Sequence, residues 1–195
     1  METISPGGAG GERIFFSRNC AKYRFMSQSY KTNVLIDGTT YVSVEDYMQK
    51  TKLKHPPGDQ VEELEKEIGE LAVTGGSGPD IKGRRKRRRR KRRETKSFLR
   101  RRRVMVSKAV RAKFQQSGEM RQLLLQTGER ELIYAHVTDS YWGVGLGATE
   151  AAHNEHKWGA NRLGLLLSEI RKELREMERR YVRTTKLIGR RDGGG

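Results

Sequence analysis

Two side chains of opposite charge, Glu45 and Lys52, lie seven residues apart in a segment whose pattern predicts a helix. The helix is expected to follow Ser43, because a serine with an acidic residue three positions later is typical of a helix N-terminus. Seven residues make about two helical turns, so the carboxylate and the amine are expected on one face. Such a pair either belongs to a polar site or forms an ion pair on the surface.

Each tryptophan of the chain precedes a glycine, in YWGVG at 141–145 and in KWGAN at 157–161. A Trp–Gly pair can stack on a base or a sugar while the glycine admits a ligand, or it can be a core tryptophan at a turn. The glycines of GVGLG at 143–147 lack the strand–turn–helix context of a dinucleotide site.

His153 and His156, with Glu150 nearby, are too few ligands to hold a metal ion by themselves. Neither a metal nor a cofactor is therefore predicted.

The most unusual segment, GRRKRRRRKRR, begins at Gly83. Residues 84–103 contain fifteen Lys or Arg and one Glu, and so carry +14 of the formal net charge of +17. The rest of the chain is nearly neutral, which excludes a uniformly basic, histone-like protein. This charge density favours contact with DNA or RNA phosphates without sequence readout, or a nuclear or nucleolar import signal. A plain solvated loop is the remaining alternative.

Length and composition indicate one intracellular domain. The 195 residues suit a single domain with tails. The lone Cys20 cannot form an internal disulfide, which favours a reducing compartment. We expect the nucleus in a eukaryote and the cytoplasm otherwise. No apolar run approaches the ~18 residues of a membrane span, and no signal-peptide pattern opens the chain, so no membrane association is expected.

Hydrophobic periodicity predicts an α+β, predominantly helical domain over residues 13–182 with a small β element. A hairpin is predicted around Asp37–Gly38, and a further strand over 131–137. Helices are predicted after Ser43, over 60–73, from about Lys96, over 118–128 and over 161–182. Residues 75–103 are expected to form a Gly-rich and basic inserted loop, and residues 1–12 and 183–195 disordered tails.

Six sequence blocks, in order over roughly residues 14–175, resemble the NADAR family, also called YbiA-like. They are YRFMSQSY, LIDGTTYVSVEDYMQKTK, IKGRR, VMVSKAVRAKFQQSGEMRQLLLQTGERELI, DSYWGVGL and WGANRLGLLLSEIR. Any one block is weakly specific, whereas their order and spacing together are a strong signal. The resemblance implies a single YbiA-like domain that hydrolyses the C1′–N bond of a ribosylated base.

The resemblance also implies roles for individual residues. Lys52 matches the family lysine proposed to attack C1′ and hold the opened sugar as an imine. Glu45 would move protons, and the carboxylates of Glu45 and Asp139 would stabilise positive charge on the ribose. Contacts with the substrate are expected from Phe25, Ser27, Gln28, Tyr47, Gln49, Arg84, Trp142, Gly143, Trp158 and Asn161.

The sequence departs from the family pattern near the expected pocket. Where this chain has Gln28, Ser29 and Asp46, the family usually has Asn, an aromatic residue and His, respectively. Where this chain has Tyr134, the family commonly has Glu.

The basic run suits a polyanionic substrate, so the leading hypothesis is removal of ADP-ribose from guanine in nucleic acid. Two alternatives stay open: an N-glycosidase for phosphoribosylamino-pyrimidines of riboflavin synthesis, and a catalytically impaired module that binds ADP-ribose or nucleic acid.

Overall fold

The computed structural model describes residues 13–52 and 81–191. The strands are β1 (Arg13–Phe16), β2 (Val34–Ile36), β3 (Thr39–Tyr41) and β4 (Glu131–Tyr134). The helices are α1 (Val44–Lys52), α2 (Ile81–Gln116), α3 (Gly118–Leu125), α4 (Ala148–His153) and α5 (Arg162–Arg191), with short 3-10 turns at Arg24–Met26 and Glu155–Lys157. The fold is α+β and mostly helical, which confirms the fold class expected from the sequence.

The hairpin and the start of α1 form where local sequence requires them. Strands β2 and β3 pair antiparallel around Asp37 and Gly38, whose φ angles of 51° and 77° give the positive pair that a two-residue hairpin turn needs. Ser43 then caps α1, since its hydroxyl accepts from the backbone N–H of Asp46 at 3.0 Å. The Asp46 carboxylate in turn accepts from the N–H of Val42 at 3.2 Å.

A second two-stranded sheet joins the beginning of the described chain to its middle. Strands β1 and β4 pair in parallel, with Arg13 opposite Glu131 and Phe16 opposite Tyr134. Strand β4 was predicted, whereas β1 was not among the predicted strands. Its four residues are too few to show a period, and its partner lies more than a hundred residues away.

The core forms where α2 and α5 pack around these sheets. Helix α5 buries the stripe predicted for it at Leu163, Leu167, Ile170 and Leu174, and α2 buries Val106, Ala109, Val110 and Phe114. The stripe of α5 leaves the core at its C-terminal end, where Met177 and Tyr181 are 51% and 72% exposed. Helix α5 packs on β4, whose end and following segment line the candidate site.

The basic run is helical over the part that the structure describes, where the sequence analysis predicted a loop. Residues 81–103 continue without a break into the core half of α2. Lys and Arg are good helix formers, and no Gly or Pro occurs between residues 84 and 116, so local propensity outweighs charge repulsion. Residues 183–191, predicted as part of a tail, likewise continue α5. The predicted helix over 60–73, residues 75–80 and the tail over 1–12 lie outside the described residues.

Among the helices of residues 13–52 and 81–191, none contains a stretch long and apolar enough to cross a bilayer.

Candidate active site

One cavity of about 200 Å³ gathers polar side chains from four parts of the fold. Its walls come from the turns that follow β1 and the first 3-10 turn, from α1, from α2, and from the end of β4 with the segment after it. The lining residues are Arg18, Ser27, Gln28, Ser29, Glu45, Met48, Gln49, Arg102, Tyr134, His136, Asp139 and Trp142. Six of them, Ser27, Gln28, Glu45, Gln49, Asp139 and Trp142, were expected in the site from the sequence.

The two carboxylates of the cavity sit on well-defined backbone. Glu45 lies in the first turn of α1, and its N–H donates to the carbonyl of Gln28 at 3.0 Å, which ties the helix to the 27–29 segment. Asp139 turns back on its own chain: its Oδ1 accepts from the N–H groups of Tyr141 and Trp142 at 3.1 and 2.7 Å. The cavity therefore holds two carboxylates from residues far apart in sequence, and hydrogen bonds to its own backbone orient that of Asp139.

A buried lysine anchors the segment that carries Ser27 and Gln28. Lys113 is only 2% exposed, and its Nζ donates to the carbonyls of Phe25 and Ser27 at 2.5 and 2.9 Å. The ammonium also lies 5.2 Å from the ring centre of Tyr30. Burial lowers the pKa of Lys113 to about 7, because the charged form loses its hydration.

Three N–H donors beside the cavity are buried and have no hydrogen-bond partner within the described part of the chain. They are Gln28 Nε2, Arg102 Nε and Trp142 Nε1. Unpaired buried donors are costly, so their concentration in one lining suits a ligand rich in oxygen acceptors. Arg18 and Arg102 add two cationic groups to the lining of the cavity.

Lys52 and Arg84 have backbone positions only. Lys52 is the last residue of α1, two turns after Glu45, and Arg84 lies near the start of α2. The side chains of both lie outside the described residues, so their expected roles stay predictions.

Two other predicted site residues have their side chains in the core. Phe25 contacts Phe114, with ring centres 6.5 Å apart, and Tyr47 contacts Tyr41 at 5.0 Å. Neither lines the cavity, although both belong to the segments that form it.

Three more residues predicted to contact substrate, Gly143, Trp158 and Asn161, do not line the cavity either. Asn161 bridges two strand positions, accepting from the N–H of Tyr134 at 3.0 Å and donating to the carbonyl of Leu132 at 2.9 Å. Gly143 is buried against the backbone of Tyr134. Trp158 packs on a separate surface, where its indole N–H donates to the carbonyl of Ala151 at 2.8 Å.

Sequence reasoning missed Arg18, Met48, Ser29, Arg102, Tyr134 and His136 as site residues. The family pattern had placed Ser29 and Tyr134 near the expected pocket, and Arg102 had a usable signal of its own. Arg102 stands four residues before the buried Val106 on α2, so the apolar face of that helix, extended by one turn, points to Arg102 within the basic run. Within the described residues, no three metal-ligand side chains come together, His153 and His156 included.

Comparison with known proteins identifies the scaffold that carries this cavity. The sequence matches the NADAR domain over residues 13–175, and so over most of its length. The chain belongs to the NADAR family. The family match runs from β1 into the N-terminal half of α5, and thus covers every residue that lines the cavity.

Similar proteins include two that are named as N-glycosidases. N-glycosidase YbiA of Escherichia coli is 43% identical over 70 residues, 36% of this chain and 38% of that protein. N-glycosidase R617 of Acanthamoeba polyphaga mimivirus is 39% identical over 71 residues, 35% of this chain and 42% of that protein. These alignments thus span about two fifths of the length of each relative.

The fold comparison extends further along the chain. The NMR structure of Escherichia coli YbiA matches with a TM-score of 0.53 and 30% sequence identity, covering 86% of this chain and 88% of that chain. The NADAR fold expected from the six sequence blocks is therefore confirmed.

Proposed function

We propose that this protein is an N-glycosidase that hydrolyses a ribosyl C1′–N bond and releases ADP-ribose from modified guanine in nucleic acid. The observation that carries the proposal is the meeting of Glu45 and Asp139 with Trp142 in one polar cavity of a NADAR fold. Relatives of the chain that bear the name N-glycosidase support the reaction class. The cavity of about 200 Å³ suits the ribose, with the rest of the substrate extending from its mouth.

The chemistry follows from the charge that develops on the sugar. When the C1′–N bond breaks, its electron pair stays on the base nitrogen and positive charge grows at C1′. The carboxylates of Glu45 and Asp139 stabilise that charge. In the role implied by the family, the neutral amine of Lys52 bonds to C1′ as the C1′–N bond breaks, and Glu45 carries the proton released by that amine to the departing base. The C1′–O4′ bond then opens as O4′ takes up a proton, which gives an imine with Lys52, and water hydrolyses the imine to free the sugar and restore the amine.

The test is release of ADP-ribose from an oligonucleotide that carries ADP-ribosylated guanine. We expect release by the wild type and a loss of at least about 100-fold in Lys52→Ala and Glu45→Gln. Lys50→Ala is a matched control, because Lys50 lies on the same helix but is exposed and pairs with Asp46 at 3.0 Å. Borohydride trapping with ADP-ribose should add mass at Lys52. Equal release by the wild type and Lys52→Ala would refute the assignment of the nucleophile.

The basic half of α2 supports a nucleic-acid substrate over a small metabolite. Arg102 lines the cavity, and the described positions before it, Arg89, Arg93, Lys96 and Arg100, are exposed. Residues 84–101 rise about 27 Å along the helix, which matches about eight phosphates of a duplex strand. One helix thus joins the cavity to a cationic surface that suits the phosphates flanking a modified base.

Substrate length separates this proposal from the riboflavin-pathway alternative. We expect the wild type to prefer an oligonucleotide over the same modified mononucleotide, with a preference that falls as salt rises. Changing Arg89, Arg93, Lys96 and Arg100 together to Gln should reduce the salt slope of binding by roughly 3 and leave mononucleotide hydrolysis intact. Faster turnover of a phosphoribosylamino-pyrimidine than of the oligonucleotide would favour the alternative. Tight binding of ADP-ribose without turnover would favour an impaired binding module.

The same variant tests the import role of the basic run. Fused to a fluorescent protein in a eukaryotic cell, the wild type should accumulate in the nucleus, and the four-fold Gln variant should spread to the cytoplasm. Nuclear fluorescence that is unchanged in the variant would show that these four charges are not part of an import signal.

A further inference from the structure

Several contacts hold Tyr134 in place in the cavity lining. It ends β4 and is 8% exposed. Its ring stacks on Phe16, with centres 5.3 Å apart and planes at 29°, and lies 5.6 Å from the ring of His136. The phenol is thus fixed by its neighbours before any ligand binds.

The backbone of Tyr134 is held equally firmly by residues first expected to bind substrate. Its N–H donates to Asn161 Oδ1 at 3.0 Å, and its carbonyl accepts from the N–H of Val144 at 3.0 Å. A Cβ at Gly143 would lie 2.6 Å from the carbonyl oxygen of Tyr134 and 3.0 Å from its ring. Gly143 and Asn161 therefore act on the site by positioning Tyr134.

The surroundings of the phenol keep it neutral. Burial, followed by the negative charges of Asp139 and Glu45, raises the pKa of Tyr134 to about 12, with smaller opposing effects from Arg18 and a hydrogen bond with Ser27. A phenol with such a pKa is a poor proton donor in catalysis but a persistent hydrogen-bond donor. The carboxylates of the cavity, when ionised, can only accept hydrogen bonds, whereas the hydroxyl of Tyr134 can donate one to an oxygen of the ligand.

We propose that Tyr134 is a substrate-contacting residue whose hydroxyl donates a hydrogen bond to an oxygen of the ribosyl group, beside the carboxylates of Glu45 and Asp139. This inference rests on the proposed function and adds a residue to it. The donor orients the sugar between groups that stabilise positive charge, so its loss acts on the reaction more than on the fold.

The substitution Tyr134→Phe tests the proposal because it removes only the hydroxyl and keeps the ring on Phe16. We expect kcat/KM for ADP-ribose release to fall about 10- to 100-fold, since an unpaired polar group is left in the complex. The thermal unfolding midpoint should stay within a few degrees of the wild type. Tyr41→Phe is the control, because Tyr41 is half-buried against Tyr47 and does not line the cavity.

Binding of ADP-ribose, measured by calorimetry, provides a second readout. A weaker Kd in Tyr134→Phe, together with an unchanged unfolding midpoint, supports contact with the ligand. If the wild type is active and Tyr134→Phe matches it within twofold in both kcat/KM and Kd, the role of Tyr134 is refuted while the proposed function stands. A wild type that neither hydrolyses the oligonucleotide nor binds ADP-ribose overturns both.

Discussion

Replacing Lys113 by Met is expected to change how the stability of this protein depends on pH. The folded-state pKa of Lys113 is lowered from 10.5 to about 7 by burial. Between these two values the unfolded chain holds a proton that the folded protein lacks. The free energy of unfolding therefore rises with pH across this window, by about 1.4 kcal/mol per pH unit, and is independent of this group below about pH 7.

The expected change in the free energy of unfolding is large enough to measure by thermal unfolding. From pH 8 to pH 10, Lys113 would add at most about 3 kcal/mol, because the carbonyls of Phe25 and Ser27 and the ring of Tyr30 favour the ammonium and oppose its deprotonation. For a chain of this length, 2–3 kcal/mol corresponds to roughly 5–10 °C in the thermal midpoint. Lys113→Met should lack this rise, since methionine has no charge to titrate.

The measurement is thermal and urea unfolding followed by circular dichroism at pH 8, 9 and 10, for the wild type and Lys113→Met in reducing buffer. The comparison uses the slopes with pH, so the constant cost of leaving two carbonyls without their donor cancels. Curves that run parallel over this range would refute the reasoning, because they would show that Lys113 titrates alike in the folded and unfolded chain.

Three further substitutions test the fold and the site. Gly164→Ala should destabilise the protein by more than about 2 kcal/mol in urea unfolding, because the new Cβ would lie 2.0 Å from the backbone oxygen of Leu132. Ser43→Ala removes the cap of α1 and should cost about 1 kcal/mol in the same assay. Arg102→Gln should weaken ADP-ribose binding about tenfold in calorimetry, whereas Arg101→Gln, at an exposed neighbour, should leave it unchanged.

Much of the candidate site could be predicted because its residues occur in short, recognisable blocks. Glu45 follows a helix cap, and Asp139 and Trp142 share one turn, so the sequence alone indicated them. Trp158 stands in a Trp–Gly pair like that of Trp142 yet packs against Phe15 and away from the cavity. The two Trp–Gly pairs are alike in sequence but differ in position, because packing with the rest of the chain decides which tryptophan faces the cavity.

In the basic run, too, one property could be predicted from the sequence and another could not. Its charge was plain from the sequence, but its conformation was predicted wrongly where the structure describes it, because a loop was inferred from composition and not from helix propensity. Its contribution of Arg102 to the cavity depends on the helical phase set by Val106 and Phe114 in the core. Charge is a property of composition, whereas the direction of a side chain is set by packing.

The sequence by itself determined the local features of this protein: the hairpin turn at Asp37–Gly38, the cap of α1 at Ser43, and the buried stripe of α5. The turn and the cap depend on backbone preferences and hydrogen bonds within a few residues, and the stripe depends on apolar residues that recur at the helical period. Only the tertiary structure decided the parallel pairing of β1 with β4 and the burial of Lys113 beneath the 25–27 segment. It also placed Tyr134 beside Glu45 and Asp139. Apart from the neighbouring Tyr134 and Asp139, these arrangements join residues about ninety or more positions apart, and non-local packing of the whole core selects them.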